Sequence, residues 1–144
     1  MRAEKHIALV MIMALVGTGC AVFGWMNDTD RVNDVMTQWD AAMRAGDVDA
    51  VMALYSENYK GWRGTSVDEL RERLENWLPR MAEAGESVFD ISEAVPTVDG
   101  NTATFSPVTL RMRDRAFQIR YTLTKEADGV WRISGTGRAE SDDE

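Results

Sequence analysis

The apolar residues of this chain change their spacing once, near Glu86, and that change restricts it to one class of fold. Before it they recur every three or four residues, as on one side of a helix. After it they alternate, as on one face of a strand. A chain with helices first and strands second must cover one face of a sheet with its helices, which is an α+β architecture.

Val32, Val35, Met36, Trp39 and Met43 define a first helix over about 31–45, closed by Gly46. Asp47 is placed to cap a second helix, with Val48, Val51, Met52, Tyr55 and Tyr59 on its apolar side. Ser66-Val67-Asp68-Glu69 is a capping box opening a third helix, whose stripe is Leu70, Leu74, Trp77, Leu78 and Met81. Pro79 lacks the N–H that an interior turn needs, so a bend or break is expected near Leu78. Beyond Glu86, turn residues at Asp99-Gly100-Asn101, Arg113-Asp114-Arg115 and Asp128-Gly129 delimit four strands of a meander. Phe117, Ile119, Tyr121 and Leu123 share one strand face; Gln118, Arg120, Thr122 and Thr124 share the other, wetter one. Around Ser106-Pro107 the alternation slips by one residue, the mark of a bulge that curves the sheet. The expected fold is α+β: three N-terminal helices packed on a curved antiparallel sheet.

The first two dozen residues belong to something else. Arg2, Lys5 and His6 precede an apolar run from Ile7 to Val16, followed by Gly17, Thr18, Gly19 and Cys20, which is the layout of a secretory signal. Val16-Gly17-Thr18-Gly19-Cys20 resembles the lipobox of bacterial lipoproteins, with Gly17 where that motif usually has Leu. Cleavage before Cys20 and lipidation of its thiol are one expectation. Another is an uncleaved anchor, since Ile7 to Met26 carries no charge and about 20 such residues span a bilayer. A third is a lone buried cysteine acting as a small hydrophobe. The first two place the domain outside the cytoplasm; the lipobox reading places it in a bacterial cell envelope, facing the periplasm. Ala21, where aspartate often marks inner-membrane retention, leans toward the outer membrane. The segments are then a signal over 1–19, a lipidated Cys20 with a linker to 29, a domain over 30–137 and an acidic tail over 138–144. The linker keeps the domain within roughly 35 Å of its membrane.

The formal charge of −8 repels nucleic acid and anionic lipid surfaces, and no basic stripe with interleaved aromatics opposes it, so nucleic-acid binding is excluded. One cysteine cannot form an internal disulfide. No histidine or cysteine cluster and no calcium-loop spacing follows Cys20, so no metal and no cofactor is expected.

The run Trp39-Asp40-Ala41-Ala42, then Gly46-Asp47 and Leu54-Tyr55, with the ending Gly129-Val130-Trp131-Arg132-Ile133, resembles the nuclear transport factor 2-like (SnoaL-like) superfamily over about Asp30 to Gly135. That resemblance implies a cone with a pocket between helices and concave sheet, and often a homodimer formed through the sheet. The superfamily includes ketosteroid isomerases, scytalone dehydratases, limonene-epoxide hydrolases, polyketide cyclases and many binding domains without chemistry. Its enzymes commonly place Asp, His or Tyr in the pocket. Here His6, the only histidine, lies in the signal, and no match to the isomerase pattern of two acids and a tyrosine is found.

The residues offer four candidate groups. Tyr55 and Tyr59 can orient a ligand or serve as ordinary core tyrosines. Trp39, Trp62, Trp77 and Trp131 can line an apolar cavity or simply pack, and the pocket set is Trp39, Tyr55, Tyr59, Trp62 and Trp77. Asp40, at the edge of the first stripe, is the one candidate acid or base, with solvent exposure as the simpler reading. Arg111, Arg113 and Arg115 ring a hairpin tip, with Arg120 on the next strand, and can grip an anionic partner or pair with the chain's own acids. The expected function is non-catalytic: binding of a small apolar ligand or of an envelope protein. The alternatives are acid-base chemistry by Asp40 and a tyrosine, or a structural dimer bridging envelope components.

Overall fold

The fold, a computed structural model that describes residues 26–86 and 88–139, begins where Asn27 accepts a hydrogen bond from the Asp30 N–H at 2.8 Å. That contact caps α1 (Asp28–Ala45), with Asp28 and Asp30 in its first turn where the helix dipole favours negative charge. Residues 1–25, on which the expected signal and Cys20 fall, and residues 140–144 of the expected tail lie outside the described residues. Among the described residues no helix is long and apolar enough to cross a membrane.

α1 ends in a Schellman motif. The Asp47 N–H donates to the Ala42 carbonyl at 3.1 Å and the Gly46 N–H to the Met43 carbonyl at 3.2 Å. Gly46 has φ 69°, and a Cβ there would come within 2.6 Å of the Ala82 Cβ on the third helix. A left-handed backbone and a tight interhelical approach thus both require glycine. Gly46→Ala is expected to cost about 2 kcal/mol, measured as a lower urea midpoint; a change within error would show that the two helices can part at no cost.

Asp47 then caps α2 (Val48–Met52), its side chain accepting from the Ala50 N–H at 3.1 Å. The second helix stops there. Tyr55 and Tyr59 do not extend it but lie in β1 (Tyr55–Lys60), which pairs with β6 (Trp131–Arg138) in parallel. A spacing of four residues keeps two side chains on one side of a helix and equally on one side of a strand, so the pattern does not separate the two. Burial of the polar Ser56 completes the attachment: its hydroxyl donates to Glu126 Oε2 at 3.0 Å, and Arg132 Nη1 holds Glu126 Oε1 at 2.8 Å.

α3 (Val67–Glu83) opens with Ser66 Oγ accepting from the Glu69 N–H at 3.3 Å. It runs through Pro79 rather than ending near Leu78. Leu74 and Leu78 are buried in the core, and the Gly46 contact at Ala82 fixes the turn that follows the proline. Packing on both sides of Pro79 offsets the lost hydrogen bond.

The remaining strands are β2 (Phe89–Asp90), β3 (Val95–Asp99), β4 (Thr102–Met112) and β5 (Arg115–Lys125). The sheet order is β1-β6-β5-β4, with β2 and β3 both on the outer edge of β4, at its two ends. All pairings are antiparallel except that of β1, so the sheet is mixed. The expected bulge is present: Phe105 faces Tyr121 and Val108 faces Ile119, with Ser106 and Pro107 opposite one residue of β5. A second bulge lies in β6, where Thr122 faces Gly135 and Leu123 faces Ile133. Ser134 is the extra residue, its hydroxyl 2.8 Å from Thr124 Oγ1. The two bulges curl the sheet around α3, and α1 closes one end of the resulting cone. There Asp28 accepts from Trp131 Nε1 at 3.0 Å and from Lys125 Nζ at 3.3 Å, and these bonds, first that of Trp131, hold its carboxyl below the usual range. Among the described residues the core runs from Val32 to Ile133.

Candidate functional site

The open end of the cone is a cavity of about 700 Å3, a size that suits a small organic ligand. Leu70, Leu74, Trp77 and Met81 of α3 form one wall. Leu110, Met112, Phe117, Ile119 and Tyr121 of β4 and β5 form the other, with Val88 and Phe89 closing the side. Each strand residue is the inward half of an alternation, so the apolar lining follows from the same pattern that makes the sheet one-sided.

All three tyrosines of the chain line the cavity. Tyr55 and Tyr59 stack edge to face with centroids 5.0 Å apart. The Tyr55 hydroxyl accepts a hydrogen bond from Trp39 Nε1 at 3.1 Å. Tyr59 Oη lies 3.0 Å from Thr136 Oγ1, which also accepts from the Trp62 N–H at 3.3 Å. Gly61 makes room for this arrangement, since a Cβ there would meet the Tyr59 hydroxyl at 2.6 Å. Burial raises the pKa of Tyr55 and Tyr121 above the ordinary phenol value, and that of Tyr59 likewise. The phenols are therefore neutral near pH 7 and act as hydrogen-bonding groups, not as anions.

The residues singled out from the sequence divide in two. Tyr55, Tyr59, Trp62 and Trp77 do meet in one cavity. Trp39 does not line it: the indole is 1 % exposed and sits behind the wall, 5.1 Å from Phe89 and 5.0 Å from Tyr121 between centroids. Asp40 is also absent from the lining, because it turns along α1 to accept from Arg44 Nε at 2.9 Å through Oδ2. Its Oδ1 is buried without a hydrogen-bond partner among the described residues. The carboxylate thus has no access to a substrate in the cone. Arg111, Arg113 and Arg115 are exposed around the β4–β5 tip, as their spacing implied, with Arg111 Nη2 3.8 Å from Asp90 Oδ2. None of the three lines the cavity.

Two groups that the alternation of β6 hid are Thr136 and Arg138. Trp131 and Ile133 are buried, so strict alternation assigns the even positions to the opposite face. The bulge at Ser134 reverses that parity: Thr136 comes opposite Tyr121 and Arg138 opposite Ile119, both facing the cavity. Arg73 was missed for a plainer reason: it lies beside Leu74, off the apolar stripe of α3, and no sequence pattern marks it. No Asp, Glu or His lines the cavity among the described residues. Nor do the described residues contain three His, Cys, Asp or Glu grouped as metal ligands.

The family model described as the SnoaL-like domain matches residues 32–135. No curated protein matches the chain in sequence. Among solved structures, it is similar to an NTF2-like protein with a cystatin-like fold from Novosphingobium aromaticivorans, with 18% identity and TM-score 0.59, covering 92% of each chain. It is also similar to a ketosteroid isomerase-like protein from Erwinia carotovora atroseptica, with 19% identity and TM-score 0.52, covering 81% of this chain and 100% of that one. A third likeness is to Bdellovibrio bacteriovorus Bd1075, with 11% identity and TM-score 0.59 over 78% of this chain; the match spans only 40% of that longer structure. At such identities these likenesses concern the fold.

Proposed function

Because the chain belongs to the family of SnoaL-like domains, we propose that it is a membrane-anchored cell-envelope lipoprotein whose cone binds a small apolar ligand without transforming it. One observation carries the binding reading: the cone is open and apolar, and among the described residues it presents neither a carboxylate nor an imidazole. A fold-level likeness to isomerases does not supply the missing base. Neutral phenols whose pKa burial has raised are poor bases and poor acids near pH 7. They suit the fixing of a ligand's orientation.

The anchor reading rests on the lipobox-like Val16-Gly17-Thr18-Gly19-Cys20, and it gives the cone a direction. The described chain starts beside Trp131, at the closed end, whereas the exposed lining residues Trp62, Met112 and Arg138 lie at the other end of β6. Seven residue steps of strand separate the ends by roughly 20 Å. The opening would then face away from the membrane that carries the anchor.

Native mass spectrometry tests the binding reading. The domain from Asn27 onward, exported and gently purified, is expected to carry added mass of a small molecule that disappears on denaturation. A spectrum of bare protein, unaltered by added apolar ligands, would count against a binding role. The same instrument reads the anchor: protein extracted from membranes and denatured should begin at Cys20 and carry the mass of attached acyl chains, whereas an intact Met1 would refute the lipoprotein.

A further inference from the structure

The cavity mouth has the opposite charge to the chain. The sequence has a formal charge of −8, yet the ionised side chains lining the cavity are Arg73 and Arg138. Both are exposed at the opening. Neither Arg73 nor Arg138 makes an ion pair with a described residue. Other arginines, Arg113 and Arg115 among them, are unpaired too; Arg73 and Arg138 differ in lining an apolar cavity that, among the described residues, no carboxylate lines.

Trp62 adds to this arrangement. Its ring, 54 % exposed at the mouth, has the Arg63 guanidinium 4.7 Å and the Arg138 guanidinium 5.5 Å from its centroid. The ring face holds both cations near the rim without neutralising them. Arg73, on α3, lines the same cavity and is near enough for its charge to act on the Tyr59 phenol. Behind the rim the walls are Leu74, Trp77, Phe89, Leu110, Ile119 and Tyr121, an apolar depth that no charged group could enter cheaply.

From this polarity we infer that the ligand is an anionic amphiphile, a hydrocarbon body seated in the cone with its carboxylate or phosphate head held at the mouth by Arg73 and Arg138. The inference rests on the binding reading above and adds the ligand's chemical class. Guanidinium donors match both kinds of oxyanion, and a head group at the rim stays partly hydrated, so its desolvation cost is small.

Calorimetric titration of the domain from Asn27 onward, whose core lies between Val32 and Ile133, tests it with four probes of equal chain length: decanoate, decyl phosphate, decanol and decylammonium. At low ionic strength the better of the two anions is expected to bind about 10-fold more tightly than decanol, and decylammonium more weakly than decanol. Whether carboxylate or phosphate leads identifies the head group. In the Arg73→Gln/Arg138→Gln double variant the anionic advantage should vanish while decanol binds as before, a control that also reports an intact fold. Equal binding of anions and alcohol in the unaltered domain, or an advantage that survives the double substitution, overturns the inference and leaves apolar binding standing. If no probe binds, and native spectra show bare protein, the binding reading fails and this inference with it.

Discussion

Replacing Trp39 by alanine is expected to lower stability by about 4 kcal/mol, the largest loss from any single substitution considered. The indole is almost wholly buried between α1 and the sheet, edge to face with Phe89 and tilted against Tyr121. Removing it leaves a large void and also strips the Tyr55 hydroxyl of its donor. The two costs separate by chemistry: Trp39→Phe keeps most of the packing but leaves that hydroxyl unpaired, for roughly 1–3 kcal/mol. The measurement is urea unfolding of the domain, read as a fall in midpoint at unchanged slope. A loss under about 1 kcal/mol for the alanine variant would mean that the site collapses freely. Because Phe89, Tyr121 and Tyr55 all line the cavity, the same substitution should also deform the site from behind. Trp39 supports the wall and touches no ligand.

Raising the pH above the phenol range is expected to unfold the domain steeply. Burial lifts the Tyr55 and Tyr121 phenols above the ordinary value of 10.0. The folded chain therefore keeps protons that the unfolded chain releases once the pH passes about 10. Their contribution is fully present below that pH and is lost as the pH rises through it toward the folded values. Each such tyrosine makes stability fall by at most about 1.4 kcal/mol per pH unit in that window, so Tyr55 and Tyr121 give a slope approaching about 3 kcal/mol per unit, to which the smaller rise at Tyr59 adds. Urea midpoints recorded from roughly pH 9 to pH 11 measure it, and Tyr121→Phe should remove about a third to a half of the slope. A flat profile would mean that the two phenols ionise as readily in the folded chain as in water.

Much of the architecture was readable in the chain because it depends on local interactions. The Asp47 and Ser66 caps satisfy backbone N–H groups within three residues, and Gly46 supplies the positive φ that ends α1, whereas the Asn27 cap, ahead of the expected start at about 31, was not read. The slip at Ser106-Pro107 shows as a break in alternation, and it is the bulge that curves β4. The cavity's aromatic lining was half readable. Tyr55 and Tyr59 reach it although they lie in a strand where a helix was expected, because a four-residue step preserves sidedness in either element. Trp39 and Trp77 share the same kind of stripe, and nothing in the stripe distinguishes the ring that lines the cavity from the ring behind it.

By itself, then, the sequence determined the α+β class, the Asp47 and Ser66 caps, the glycine stop of α1, the first bulge and the family, all of which follow from contacts a few residues apart or from hydrophobic period. Tertiary structure alone decided that Tyr55–Lys60 would leave the helical pattern to pair with β6, since only the open edge of that strand rewards it with hydrogen bonds. It also decided that Ser134 would bulge, its hydroxyl bonding to Thr124 on the neighbouring strand. That one displaced residue turns Thr136 and Arg138 inward, because strand sidedness has a period of two and a single extra residue inverts everything after it.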